Sequence, residues 1–227
     1  MNELASTLQK TKLLQYLSTD TMRSTIISQG RLQEYPKGAI IFSAQDKVDH
    51  FHIVVSGRIN TMHLFADGSC SISGTLKPLY VLGLDLICTR TQTAPYYAIA
   101  AVSSSVFSFP AALILKPGSL PENERLDILS QLMVMISHLN MQKDYRLAIL
   151  SQNSLRQRII IYLSMQASKR QTETFTIPFS REELASYLCV NRSALSHQLS
   201  LMKKEGLIDF KGNTFKLLNR KETEYTF

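Results

Sequence analysis

The chain has 227 residues, 44% of them hydrophobic and 19% charged, a balance that excludes wholesale disorder and has room for two packed domains. No apolar run is long enough for a transmembrane helix, and the opening MNELASTLQKTKLL lacks a signal-peptide core, so the expectation is a cytoplasmic chain without a membrane partner. The net charge of +7 is uneven: residues 150–227 hold 12 Lys and Arg against 7 Asp and Glu, and residues 1–149 hold 13 against 11, which puts the basic excess where phosphate contacts would need it.

In chain order, residues 4–29 carry Leu and Ile at helical spacing and read as short helices. The texture changes at YPKGAIIF (35–42). Short strand-like runs follow at 50–65, 70–76 and 96–109, with a turn expected at Ala66-Asp67-Gly68-Ser69. Regular short strands broken by Gly and Asp-Gly predict an antiparallel barrel or roll. From Glu122 to about Ser151 there is neither Gly nor Pro, and Leu126, Leu129, Leu132, Met133, Ile136 and Leu139 keep a helical period. Thirty helical residues would reach about 45 Å. The spacing of Leu129, Leu132, Ile136 and Leu139 resembles a coiled-coil seam, and a dimer seam is preferred to a helix buried on the barrel because it leaves other faces free to touch the barrel. SLRQRIIIYLSMQASKR (154–170) predicts a further helix, and TFTIPFS a short strand.

REELASYLCVNRSALSHQLSLMKKEGLI (181–208) is the most informative stretch. Ser180 is a good helix N-cap, and Glu183 three residues on completes a capping box. Leu184 and Leu188 share one face, Ala185 leaves space for a crossing helix, and Asn191 can cap a second helix whose Leu195, Leu199 and Met202 point inward. Two helices about a tight turn make a helix-turn-helix. On the second helix Arg192, Ser193 and His197 face outward at the end that enters a major groove, so these are the expected base readers. Ser180, Arg181, Asn191, Ser196, Lys203 and Lys211 are the expected phosphate or positioning residues, and the runs flanking Lys211-Gly212-Asn213 predict a hairpin wing with Lys216 also available to phosphates.

With these motifs in view, the chain resembles the Crp/Fnr superfamily of bacterial transcription regulators over nearly its whole length. NRSALSHQL leading into EGLI looks like that family's helix-turn-helix; YPKGAIIF, VVSGRI and LGLDL look like its cyclic-nucleotide-binding-type β-roll; RQRIIIYL is similar to the start of its DNA-binding domain. The resemblance implies an α+β chain with an antiparallel, jelly-roll-like N-terminal β-roll (1–120), a long dimerisation helix (121–152) and a winged helix-turn-helix domain (153–227). It implies a homodimer on a roughly palindromic site in double-stranded DNA, RNA polymerase as a further partner, and a signal sensed in the roll.

The sequence departs from the family pattern in ways that matter. The turn between the two helices, usually glycine, has Cys189. The recognition helix usually carries an Arg-Glu pair and a later Arg; here those positions read Arg192, Ser193 and His197, which implies a different operator. Cyclic-nucleotide binders place an arginine on the phosphate, and the matching segment TAPYYAIA has none, so cyclic AMP is not expected to bind. Gly83, Leu84, Asp85, Tyr96 and Tyr97, with Lys143 from the long helix, are the expected lining of a pocket for another small molecule, unless the roll binds nothing. Residues 1–69 contain no cysteine, so no cysteine-ligated cluster is expected; His50, His52 and His63 read as strand residues rather than metal or haem ligands. No nucleophile elbow, metal box or P-loop predicts an enzyme. The alternative to a DNA-binding regulator is a sensor module that acts through a protein partner.

Overall fold

The computed structural model describes residues 2–66 and 70–218 and divides into two compact units, residues 1–138 and 139–227. The boundary falls inside the long helix, which the sequence reading treats as a segment of its own.

The first unit opens with α1 (Asn2–Gln9) and the single turn α2 (Thr19–Thr21), which widens into a π-helix at Met22–Ile27. Leu8, Leu13, Leu14, Met22 and Ile26 are fully buried. The roll then alternates between two antiparallel sheets. One has the order β1 (Arg31–Tyr35), β8 (Ser104–Pro110), β3 (His50–Ser56), β6 (Val81–Leu82). The other runs β2 (Ile40–Phe42), β7 (Tyr97–Ala100), β4 (Ile59–Leu64), β5 (Cys70–Leu76). Alternation selects the inward set: Phe51 and Ile53 on β3 meet Phe107 and Phe109 on β8, with the Phe51 and Phe109 rings 5.4 Å apart. The expected 66–69 turn falls, from Asp67 on, outside the described residues. β1 begins four residues before the change of texture at Tyr35; its exposed outer residues hide the alternation that marks the other strands.

Gly57 is required at the β3–β4 turn. Its φ is +82°, and a Cβ there would sit 2.3 Å from the Ser104 Oγ. Short helices α3 (Leu84–Ile87) and α4 (Ala112–Leu115) bury Leu84, Leu86 and Ile87, and Leu113 and Ile114. α5 (Glu122–Leu150) follows, a 29-residue helix of about 44 Å. Its first turn is fastened by Arg125, which donates to the carbonyls of Ile114 and Leu115 at 3.0 and 3.3 Å.

The burial of α5 corrects one assignment. Leu132, placed in the seam by its spacing, is only 3% exposed within its own chain. The apolar residues that α5 leaves most open are Leu126, Met133 and Leu147 at 55, 65 and 68%; Val134 and Met141 are also exposed, and Leu129, Ile136 and Leu139 are half-buried.

The second unit carries α6 (Leu155–Arg170), β9 (Thr174–Thr176), α7 (Arg181–Tyr187), α8 (Arg192–Lys204), β10 (Ile208–Lys211) and β11 (Thr214–Leu217). The strands form one antiparallel sheet in the order β10-β11-β9. Ile159, Leu163, Leu184, Leu188, Leu195, Leu199, Met202 and Phe215 close a common core under α6, α7 and α8. This is a winged helix-turn-helix. No helix among the described residues is long and apolar enough to cross a membrane.

Candidate nucleic-acid interface

The capping box starts α7 as its sequence predicts. The Ser180 Oγ accepts from the Glu183 amide at 3.2 Å, and the Glu183 carboxylate accepts from the Ser180 amide at 2.7 Å. The Ser180 oxygen thus caps the helix while its O–H stays available as a donor. α7 ends at Leu188, and Cys189 takes a left-handed φ of 56°, so the position usually given to glycine keeps its backbone shape with a side chain present. Asn191 then caps α8, accepting from the Ala194 amide at 2.7 Å and from the Ser193 hydroxyl at 2.8 Å. Arg158 braces the turn by donating to the Leu188 carbonyl at 3.2 Å.

α8 buries Leu195, Leu199 and Met202 and turns Arg192, Ser193, Ser196, His197 and Ser200 to the outside. Arg192 and His197, which the sequence marks as base readers, are thus brought to one exposed face. Ser193 is there too, but its hydroxyl proton points to Asn191, which leaves it an acceptor toward any ligand.

Two of the expected phosphate contacts, Arg181 on α7 and Lys203 on α8, also hold the wing. Arg181 donates to the Gly212 carbonyl at 2.9 Å, and its guanidinium lies 5.1 Å over the Phe210 ring and 5.3 Å over the Phe215 ring. Burial against those rings lowers the guanidinium's proton affinity. Lys203 pairs with Asp209 and lies 5.3 Å over the Phe210 ring; its hydrogen bond holds the Asp209 carboxyl below its ordinary range. Both cations fix the hairpin to the helix pair. Lys211 and Lys216 on the wing remain exposed.

Sequence reasoning missed Glu182. Its carboxylate oxygen lies 3.1 Å from the Arg192 Nη1. The signal was present, since SREE supplies one carboxylate more than the capping box uses, but a separation of ten positions conceals the contact.

In the roll, Gly83 is left-handed at φ 77° and starts α3, which buries Leu84 and presents Asp85. The Tyr96 hydroxyl donates to the Asp85 carboxylate at 3.0 Å, and burial together with that carboxylate pushes the phenol's pKa up. Phe42, His52, His63 and Tyr96 form an aromatic group, with centroid distances of 5.9 Å for Phe42–His52, 5.9 Å for Phe42–Tyr96 and 6.3 Å for His63–Tyr96. Burial, then the nearby His50, pushes the His52 pKa down to about 4. Tyr97 does not join this group: one residue on, it leaves the opposite face of the sheet, across from Met62 and alongside Ile99. Lys143 lies in the second unit.

Residues 32–116 match the cyclic nucleotide-binding domain model, and residues 157–222 match the Crp-like helix-turn-helix domain model. The transcriptional activator protein FnrA of Stutzerimonas stutzeri is 27% identical over 207 residues, covering 86% of this chain and 78% of that one. FixK2 from Bradyrhizobium japonicum superposes with a TM-score of 0.55 at 19% identity, over 86% of this chain and 95% of that one. The c-di-GMP responsive global regulator CLP of Xanthomonas campestris gives a TM-score of 0.61 at 17% identity, over 89% of this chain and all of the other. A cyclic-nucleotide-type roll, a capped helix-turn-helix with a basic wing, and relatives that are transcriptional activators across most of their length together make this chain a DNA-binding transcription regulator of the Crp/Fnr superfamily.

Proposed function

We propose that the regulator works as a homodimer on a palindromic operator, with one α8 per half-site in the major groove and a small molecule in the roll adjusting operator affinity. The observation that carries this reading is the exposed polar face of α8, Arg192 with Ser193, Ser196 and His197, on a helix whose other face is fully buried. Arg192 donates to a guanine, His197 and Ser193 complete the base contacts, and Asn191, Ser196 and Lys211 meet the sugar-phosphate backbone. The setting is the cytoplasm, and RNA polymerase is the further partner. The chain does no chemistry of its own.

A mobility-shift titration on the promoter beside the gene tests the reading. A dimer with six to ten phosphate contacts loses about 10³ to 10⁵ in affinity between 50 and 200 mM salt. Absent or salt-insensitive binding would overturn it and favour a sensor that acts through a protein.

A further inference from the structure

We propose that Glu182 is a specificity-determining residue, which positions the Arg192 guanidinium for a base and makes the surface reject DNA that offers only phosphates. The proposal rests on the reading of Arg192 as a base reader. Glu182 lies on α7 and Arg192 on α8, so the contact spans the two helices of the motif. Their side chains are 74 and 65% exposed, and an ion pair that open contributes little to stability. Other carboxylates of this unit have structural work: Glu183 closes the capping box, Glu205 pairs with Arg156, and Asp209 pairs with Lys203. Glu182 instead bonds the residue placed to read DNA.

A carboxylate at a surface that approaches a polyanion has two consequences. It repels every sequence alike, so non-specific binding weakens. It also occupies one donor of the arginine and limits the directions the remaining N–H groups can take. An unheld arginine can swing to the nearest phosphate. One held by Glu182 recovers its full set of partners only where a base edge supplies guanine acceptors, and Glu182 in turn can accept from the amino group of cytosine or adenine. The device discriminates by penalising the wrong partner as much as by rewarding the right one. The neighbour of Arg192 on α8 is Ser193, so the carboxylate at this arginine comes from the preceding helix.

The test uses the full chain and an operator selected from random duplexes by the wild-type protein. Dissociation constants are measured on that operator and on a random duplex of equal length, at one salt concentration. The proteins are wild type, E182Q, R192A and the double variant. E182Q is expected to tighten binding to random DNA and to lower the operator-to-random ratio by about tenfold, the scale of one good base contact. On the R192A background E182Q should leave the ratio unchanged, because the arginine it positions is gone. A merely structural role would shift both affinities together. An equal gain on both DNAs, no change on either, or the same drop in ratio without Arg192 would each overturn the role of Glu182. A ratio that R192A itself does not alter would locate the failure one step earlier, in the base-reading role of Arg192, and the inference would fall with it.

Discussion

His52 and Tyr162 show what burial does to single polar side chains in the two units. The His52 Nδ1 lies 2.7 Å from the Ser108 Oγ, in register with it across β3 and β8. Its folded-state pKa of about 4 is below the unfolded value of about 6.5. The unfolded chain therefore takes up a proton first as the pH falls. The stability the neutral ring supports is fully present above about 6.5 and is lost progressively toward 4. Denaturant titrations at pH 7 and pH 5.5 should show the roll weakened by about 1 kcal/mol at the lower pH, and His52→Phe should flatten that difference. An unchanged slope in the variant would assign the effect elsewhere. Tyr162 is buried in the second unit, its ring 5.4 Å from Tyr187 and 6.0 Å from Phe179, and its hydroxyl has no hydrogen-bond partner among the described residues. Desolvation of that hydroxyl is uncompensated. Tyr162→Phe keeps the ring and removes the cost, so thermal unfolding should shift upward by about 1 kcal/mol of stability; a lower melting temperature would mean that the hydroxyl is satisfied in solution.

Among the elements, α5 is where spacing alone misled. Leu132 and Ile128 lie four apart on a face already covered by the chain, whereas Leu126 and Met133, seven apart, are open. For the homodimer we propose, a heptad through Leu126, Leu129, Met133 and Ile136 is the face we assign to the second copy. Met133→Glu with Ile136→Glu should give monomers that keep their helical content and lose the operator, since charge would be buried only in the dimer. Light scattering that still reports a dimer would place the seam elsewhere. The helix-turn-helix was legible because its signals are local: Ser180 and Glu183 are three residues apart, Asn191 and Ala194 likewise, and Leu195, Leu199 and Met202 repeat at helical spacing. The wing contacts of Arg181 were not legible because its partners, Gly212 and the Phe210 and Phe215 rings, lie about thirty residues on. A separation of ten positions likewise hid Glu182 from Arg192. In the roll, a hydrogen bond joins Asp85 and Tyr96, whereas strand parity sends Tyr97 to the opposite face of its sheet.

At the scale of the whole molecule, what matters is how chemistry in the roll could govern a DNA affinity set in the second unit, and cyclic AMP is the ligand to test first because residues 32–116 match the cyclic nucleotide-binding domain model. A cyclic phosphate carries one negative charge that must be met inside the fold, and a buried anion without a cationic partner is poorly compensated. The segment at 93–100, TAPYYAIA, brings no arginine to that task. Near it stand Asp85, bonded by the Tyr96 hydroxyl, and His52, whose low pKa keeps it neutral at physiological pH. Asp85 adds repulsion, and a neutral imidazole can donate one hydrogen bond but no charge. The rings of Phe42, His52, His63 and Tyr96 suit an uncharged or aromatic ligand better than a phosphate. Titration calorimetry of the full chain with cyclic AMP should therefore give no binding heat at micromolar concentrations, and the operator dissociation constant should be the same with and without it. A micromolar constant, about −8 kcal/mol, with tighter operator binding would overturn this. The phosphate would then have to draw its cation from outside residues 93–100, and Arg90 would be the first residue to replace.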